Sequence, residues 1–298
     1  MSATQCGIVA IVGEPNAGKS TLINQLVGGK VSIVTPKAQT TRFNIRGVCI
    51  QQEAQLIFVD TPGIFDASKK FEKAMVKAAW SGIGEADAVL MVIDAKKGLR
   101  DTTRELIEHV KSHTKKSVFL ALNKIDRVKK AELIELAAAC DAYGLFKNIF
   151  MISALKRDGL EEVARIVAGD MPAGPWLYPA EQMSDISLRL LAAEITREKL
   201  FLMLDQELPY AIFVETEHWE ERDDQVHISQ LIYVQREGQK KIIIGEGGAM
   251  LKRVGTSARK ELVRILDKRV HLNLFVKVKE QWKEDRESFQ LLGLEFNK

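Results

Sequence analysis

The 298-residue chain predicts a doubly wound, mostly parallel α/β sheet followed by a smaller α/β domain. Three observations carry that prediction. Short runs that are apolar on both faces alternate with amphipathic stretches over about the first 170 residues, the pattern of parallel strands covered by helices. A proline cluster then breaks the alternation. Beyond it the pattern resumes on a smaller scale, around a second glycine-rich loop.

The runs "GIVAIVG" (7–13), "AQLIFVD" (54–60), "DAVLMVID" (87–94) and "SVFLALN" (117–123) read as buried parallel strands. "TTRELIEHVKS" (102–112) is one of the amphipathic helices between them. Ligands of such sheets bind beyond the carboxyl ends of the strands, and the informative polar motifs stand at those ends. Next comes "MPAGPWLYPAEQ", with Pro172, Pro175 and Pro179 within eight residues. Proline at this density continues neither a helix nor a central strand. The expected division is a first domain over 1–172, a linker over 173–183 and a second domain over 184–298. The second domain opens with a helix from Asp185 to about Leu204. Strands "YAIFVETEHW" (210–219) and "VHISQLIYVQRE" (226–237) follow. The glycine loop, a helix to about Leu266 and the strand "VHLNLFVKVK" (270–279) complete it.

Composition sets the class. Hydrophobic content of 46% and charged content of 28% are ordinary globular values and exclude a disordered chain. No apolar run is long enough to span a membrane, and "MSATQCG" lacks the pattern of a signal or transit segment. Cys6, Cys49 and Cys140 are far apart and odd in number, which fits reduced thiols in a cytoplasm. The net charge of +3 is unevenly spread. Residues 215–224 hold six acids and one base, whereas 236–279 hold twelve Lys or Arg against four Asp or Glu. The second stretch is a candidate polyanion surface.

The first loop, Gly13, Glu14, Pro15, Asn16, Ala17, Gly18, Lys19, Ser20 and Thr21, follows a strand and opens a helix. Gly13-x4-Gly18-Lys19-Ser20 fits the P-loop pattern. Its glycines let backbone N–H groups curl around a phosphate at the positive end of a helix dipole. Lys19 reaches the outer phosphates, and the Ser20 hydroxyl binds Mg²⁺. Asp60 ends a strand where it can hold the Mg²⁺ shell. Thr61, Pro62, Gly63 and Ile64 follow, with the Gly63 N–H suited to sensing a γ-phosphate.

Asn123, Lys124 and Asp126 choose the base. The Asp126 carboxylate can accept two hydrogen bonds from guanine, whereas adenine offers no donor there. Ser153 and Ala154 are expected to supply a backbone donor to the guanine carbonyl. In this order, each motif at a strand end, the set points to GTP and GDP with Mg²⁺. "TPKAQTTRF" (35–43) is then the first switch, with Thr41, or in second place Thr40, completing the metal shell.

This combination resembles the TRAFAC class of translation-factor-related GTPases. "GEPNAGKSTLIN", "KAQTTR" and "DTPGI" look like the Era family of bacterial GTPases, as do "ELPYAIFVE", "VQREGQKKIIIGEGGAMLK" and "VHLNLFVKVK". The resemblance covers nearly the whole chain. It implies a GTPase domain joined to a C-terminal KH domain of type II topology. It also implies a monomer that binds 16S ribosomal RNA near its 3′ end and assists assembly of the 30S subunit. Its expected location is the cytoplasm, with part of it peripheral on the inner membrane.

A KH domain clamps single-stranded RNA with a Gly-x-x-Gly loop between two helices. Here that loop is Gly245-Glu246-Gly247-Gly248, and no Lys-Ser follows to make it a second nucleotide site. Lys252, Arg253 and Arg259, with Lys260 and Arg264, fall mostly off the apolar stripe of the next helix and face phosphate in this reading. Era relatives commonly carry a basic residue between the two glycines; Glu246 and Gly247 depart from that.

Ile64 stands where Ras-type GTPases place a water-orienting Gln, so hydrolysis by that route is absent and slow intrinsic turnover is expected. Asn16 matches an Asn that some relatives use around a K⁺ ion. Two rivals stand beside the main reading: a GTPase of tRNA modification, which lacks support because Cys140 is the last cysteine, and a GTP-gated RNA-binding module with negligible turnover.

Overall fold

The structure, a computed structural model, describes residues 4–37, 39–64, 67, 69–205 and 208–296. The described chain forms two compact units. One comprises residues up to 32 and 41–185; the other comprises 33–40 and 186–296.

In the first unit the order is β1 (Gln5–Val12), α1 (Lys19–Val27), β2 (Ile45–Gln51), β3 (Ala54–Asp60), α2 (Lys70–Glu85) and β4 (Ala88–Asp94). Then follow α3 (Asp101–His113), β5 (Ser117–Asn123), α4 (Lys130–Asp141), β6 (Phe146–Ile152) and α5 (Leu160–Ala168). The six strands are ordered β2-β3-β1-β4-β5-β6, all parallel except β2. β3 and β4 are buried at every residue, which is why they read as unbroken apolar runs. The expected strands at 7–13, 54–60, 87–94 and 117–123 are thus present. β2 was not anticipated. It pairs antiparallel with β3 through a two-residue turn in which Gln52 is left-handed (φ 54°). Its pattern is blurred by Gly47, where a Cβ would lie 2.8 Å from Val27 of α1.

The proline-rich stretch is not a free linker. Gln55 is fully buried and its side chain binds three backbone groups of that stretch: it donates to the Tyr178 carbonyl (2.7 Å) and accepts from the N–H groups of Leu177 (2.9 Å) and Tyr178 (3.0 Å). Val48 N–H donates to the Met183 carbonyl at 2.8 Å. The segment therefore covers the β2 edge, which would otherwise present unpaired backbone groups. The division between the two units falls at 185/186.

The second unit runs α6 (Leu188–Met203), β7 (Phe213–Arg222), β8 (Gln225–Val234), α7 (Glu237–Ile244), α8 (Ala249–Leu266), β9 (Arg269–Val278) and α9 (Arg286–Leu291). β7 and β8 are antiparallel; β9 pairs parallel with β8 at the sheet edge, in the order β7-β8-β9. Helices α7 and α8 form the crossover that a parallel pair requires. Val254, Ala258 and Leu262 of α8 are buried, as its periodicity predicts, with Leu251, Ile265 and Leu266 partly so. The C-terminal α9, unforeseen in the sequence, follows Trp282. That side chain is fully buried, stacks on Phe213 and donates its Nε1–H to the Ala211 carbonyl at 2.9 Å.

Candidate functional site

The loop after β1 is shaped by two left-handed residues, Asn16 (φ 64°) and Gly18 (φ 102°). A Cβ on Gly13 would lie 2.4 Å from the Val92 carbonyl oxygen, and one on Gly18 2.3 Å from Asn123 Nδ2, so neither position admits a side chain. The loop is pressed onto the carboxyl ends of β4 and β5, at the N-terminus of α1.

Lys19 is buried and donates to the carbonyls of Gly13 (2.9 Å) and Glu14 (3.1 Å). Burial pulls its pKa down to about 8, against the opposing influence of the Asp60 and Glu14 charges. Above that pH the unliganded lysine is mostly neutral, and an arriving phosphate favours the ammonium form. Nucleotide binding near pH 8.5 is therefore expected to take up most of one proton, roughly the fraction that linkage gives for a single group. Calorimetry in buffers of different ionisation enthalpy measures it; zero uptake would contradict the assignment.

Three hydroxyls converge on one oxygen of Asp60, Oδ2: Ser32 at 2.6 Å, Ser20 at 2.8 Å and Thr41 at 3.2 Å. Ser20 and Thr41 are themselves 3.1 Å apart. The other oxygen, Oδ1, is buried without a partner. Burial pushes this carboxyl above its ordinary range, while the Ser32 hydroxyl and the Lys19 charge oppose the shift. A dry carboxylate with one unspent oxygen, ringed by hydroxyls, fits a small hard cation that takes oxygen ligands. Among the described residues no cluster of His, Cys, Asp and Glu offers a competing metal site.

Thr61 is fully buried and donates to the Ile11 carbonyl at 2.7 Å, so its side chain anchors the loop. A Cβ on Gly63 would lie 3.2 Å from Pro15, which places Gly63 against the phosphate loop. Ile64 packs on the core cluster that includes Val12 and Ile93. The Glu14 carboxylate is turned from the phosphate path: it accepts from Thr102 and, at 2.8 Å, from Thr103 at the start of α3.

Asn123 is the hub of the motif residues at the end of β5. Its amide donates to the Ala17 carbonyl (2.9 Å), and its oxygen accepts from the N–H groups of Lys124 (2.8 Å) and Ala154 (2.9 Å). The side chain of Lys124, a left-handed residue, donates to the Asn16 carbonyl (2.6 Å) and the Asp94 carboxylate (2.7 Å). Asp126 accepts from the Ser153 hydroxyl at 2.6 Å, the foremost reason its carboxyl lies below the usual range. Ala154 N–H donates to Asn123 and Ser153 N–H to the Asp158 carbonyl (3.1 Å), and the Ser153 hydroxyl stands against Asp126. Ser32 and Asp94 were not foreseen. A lone serine in a loop carries no signal, but Asp94 ends β4 in register with Asn123, a position at which an acid is informative.

The second unit holds the other glycine loop between α7 and α8. Gly245, Gly247 and Gly248 all have positive φ (73°, 54° and 80°). A Cβ on Gly245 would lie 2.8 Å from Met250, whereas Gly247 and Gly248 face open space. Glu246 is exposed, and no ion pair or side-chain hydrogen bond engages it among the described residues. Lys252, Arg253, Arg259, Lys260 and Arg264 are all exposed on α8. A surface groove lies between α8 and the edge strand β9, lined by Gly248, Lys252, Arg259, Asn273 and Phe275 among others.

The profile of a family described as 50S ribosome-binding GTPase matches residues 8–124, and that of the KH domain matches 207–283. The chain is similar to "GTPase Era" of Sinorhizobium medicae, 51% identical over 296 residues, covering 99% of this chain and 95% of that protein. The Brucella suis protein of the same name is 52% identical over 294 residues, covering 98% and 94%. Among solved structures, a tyrosine-to-alanine variant of Aquifex aeolicus Era bound to GDP·AlF4⁻ superposes with a TM-score of 0.93 at 40% identity, covering 97% of this chain and 99% of that one. An Era complex with MgGDPNP and nucleotides 1506–1542 of 16S ribosomal RNA gives 0.92 at 40%, with the same coverage.

Proposed function

The chain belongs to the Era family of GTPases, and on that premise we propose that GTP held by its first unit gates the grip of its second unit on 16S ribosomal RNA during 30S subunit assembly. It is a GTP-hydrolysing enzyme with a KH domain. The observation that carries the proposal is the presence in one chain of two phosphate-gripping loops of different build. One is backed by Lys19 and the Asp60 hydroxyl cluster; the other is backed by an exposed basic helix. The profile matching 8–124 refers to the 50S ribosome, but the solved Era–RNA complex matches nearly the whole chain, so the small subunit is the partner assigned.

Within the first unit, Gly13 to Thr21 cradle the phosphates and Lys19 neutralises the outer ones. The hydroxyls of Ser20 and Thr41, with Asp60 behind them, would hold Mg²⁺. When bound, that ion offsets the charge that develops on the transferred phosphoryl oxygens. The Gly63 N–H reads the γ-phosphate. Asn123 ties the phosphate loop to the base site, and Asp126 selects guanine. Ile64, packed against the core, places no water; Asn16 is the residue offered to K⁺. No helix among the described residues is long and apolar enough to cross a membrane. We assign the protein to the cytoplasm, with a peripheral inner-membrane fraction.

Turnover tests this reading. Lys19→Ala is expected to cut multiple-turnover hydrolysis by about a hundredfold or more, the scale of losing one electrostatic stabiliser of a transition state. Ile64→Ala is expected to change it less than about fivefold, under ~1 kcal/mol of barrier. A large loss at Ile64→Ala with the fold intact would place that side chain in the chemistry. Rates that do not rise with small ribosomal subunits would favour the binding module with incidental turnover, and equal rates in K⁺ and Na⁺ would remove the role of Asn16.

A further inference from the structure

Ser32 belongs neither to the phosphate loop nor to the run from Asp60 to Gly63, yet it is 1% exposed. Its hydroxyl makes the shortest of the three bonds to Asp60 Oδ2, 2.6 Å against 2.8 Å from Ser20 and 3.2 Å from Thr41. All four residues lie in the first unit.

Ser32 is seated by Asn24 of α1. The Asn24 amide nitrogen donates to the Ser32 carbonyl at 2.7 Å, and its oxygen accepts from the N–H groups of Val31 and Ser32, both at 2.9 Å. Aspartate has the same shape but no donor for that carbonyl, so the grip needs an amide. Asn24 stands four residues after Ser20, on the same face of α1. The contacts therefore close a ring. Helix α1 presents the Ser20 hydroxyl directly to Asp60 Oδ2 and, through Asn24, the Ser32 hydroxyl to the same oxygen.

The two oxygens of Asp60 are unequally used. Three hydroxyls meet on Oδ2, although a carboxylate oxygen offers about two lone-pair sites. Oδ1 is buried without a partner. Ser20 and Thr41, 3.1 Å apart, are the pair placed to share a cation. The Ser32 hydroxyl has its one proton committed to Oδ2, in a short bond to a carboxylate, the stronger kind of hydrogen bond. Groups that stand behind a metal ligand fix its direction, and their removal typically costs about 10–100-fold in metal affinity.

We propose that Ser32, seated by Asn24, is a positioning residue for the GTPase: it pins Asp60 Oδ2 and so leaves Oδ1 to the shell of the magnesium ion that accompanies GTP. The proposal rests on the reading of Ser20, Thr41 and Asp60 as the metal site. Nucleotide held without the metal depends on the phosphate loop and the guanine motif, so it is indifferent to Ser32. Nucleotide held with the metal depends on it.

The test uses the full chain with Ser32→Ala, Asn24→Ala and the two combined. Affinity for a non-hydrolysable GTP analogue is measured in EDTA and along a Mg²⁺ titration. In EDTA each variant is expected to bind within about twofold of the parent, as for an independent site. The Mg²⁺ concentration for half-maximal binding is expected to rise about tenfold in Ser32→Ala and by a similar factor in Asn24→Ala. The combined variant is expected to add less than about twofold to the larger single effect, because Asn24 acts through the Ser32 hydroxyl. Parental Mg²⁺ dependence in both single variants would overturn the proposal. So would an equal loss in EDTA and in Mg²⁺, which would make Ser32 a prop of the phosphate loop alone. Should Asn24→Ala fail to fold, Ser32→Ala, which deletes one oxygen, decides it. A parent chain whose analogue affinity ignores Mg²⁺ would overturn the reading of the metal site and the proposal with it.

Discussion

Asp126→Asn is expected to turn the guanine site into a xanthine site. The Ser153 hydroxyl at 2.6 Å fixes the Asp126 carboxylate and holds its pKa below the usual range, so it is charged at neutral pH. A charged acceptor with two oxygens suits the two donors of guanine, its ring N–H and its exocyclic amine. Asparagine keeps the shape and can still accept from Ser153 or from the ring N–H. Its amide nitrogen, however, then faces the exocyclic amine, donor against donor. Xanthine replaces that amine with a carbonyl, which the amide nitrogen can meet.

The expected result is a loss of GTP affinity of roughly a thousandfold with a gain of xanthosine triphosphate binding, on the scale by which polar sites reject mismatched donors. Competition binding with both nucleotides measures it. Retained GTP affinity with no response to xanthosine triphosphate would contradict the role given to Asp126. The Asn123 hub should survive the change, since its three bonds go to Ala17, Lys124 and Ala154 and none goes to Asp126.

The parallel strands and both glycine loops were legible because each is a local pattern. β3 and β4 are buried on both faces and read as apolar runs; Gly13, Gly18 and Gly245 are glycines because the backbone or a neighbour forbids a Cβ. What escaped depends on residues far apart in sequence. The proline-rich stretch reads as a linker until Gln55, over a hundred residues upstream, binds it. β2 lost its pattern to Gly47, which makes way for α1. Helix α6 reads as an ordinary helix, and nothing in its own residues tells that Glu194, Arg197 and Glu198 are buried. Residues 153 and 154 are legible as a motif, whereas the bond from the Ala154 N–H to the Asn123 side chain joins residues far apart in sequence and is not.

The second large effect is expected at the loop between α7 and α8. Gly247 and Gly248 are left-handed, and a Cβ at either meets nothing within 4 Å. Aspartate is among the residues that tolerate this conformation best, at about 1–2 kcal/mol. Gly247→Asp plus Gly248→Asp should therefore leave the fold standing while placing two charges over the loop. Gly245 is the contrasting position, since a side chain there would collide with Met250. Glu246→Lys is the complement. Glu246 is exposed, so reversing its charge should raise RNA affinity and steepen the salt dependence by about one released ion. Lower affinity with relaxed sequence preference would instead mean that Glu246 contacts a base.

The deciding measurement is the affinity of the parent chain and the double-aspartate variant for a single-stranded RNA with the 3′-end sequence of 16S ribosomal RNA, taken with a magnesium-bound GTP analogue and again with GDP. The parent is expected to bind more tightly with the analogue than with GDP. The variant is expected to lose about a hundredfold or more, since two acids then repel the backbone that supplies most nucleic-acid affinity, with GDP binding at the first unit unchanged. RNA affinity equal in parent and variant, or equal with the two nucleotides, would contradict it.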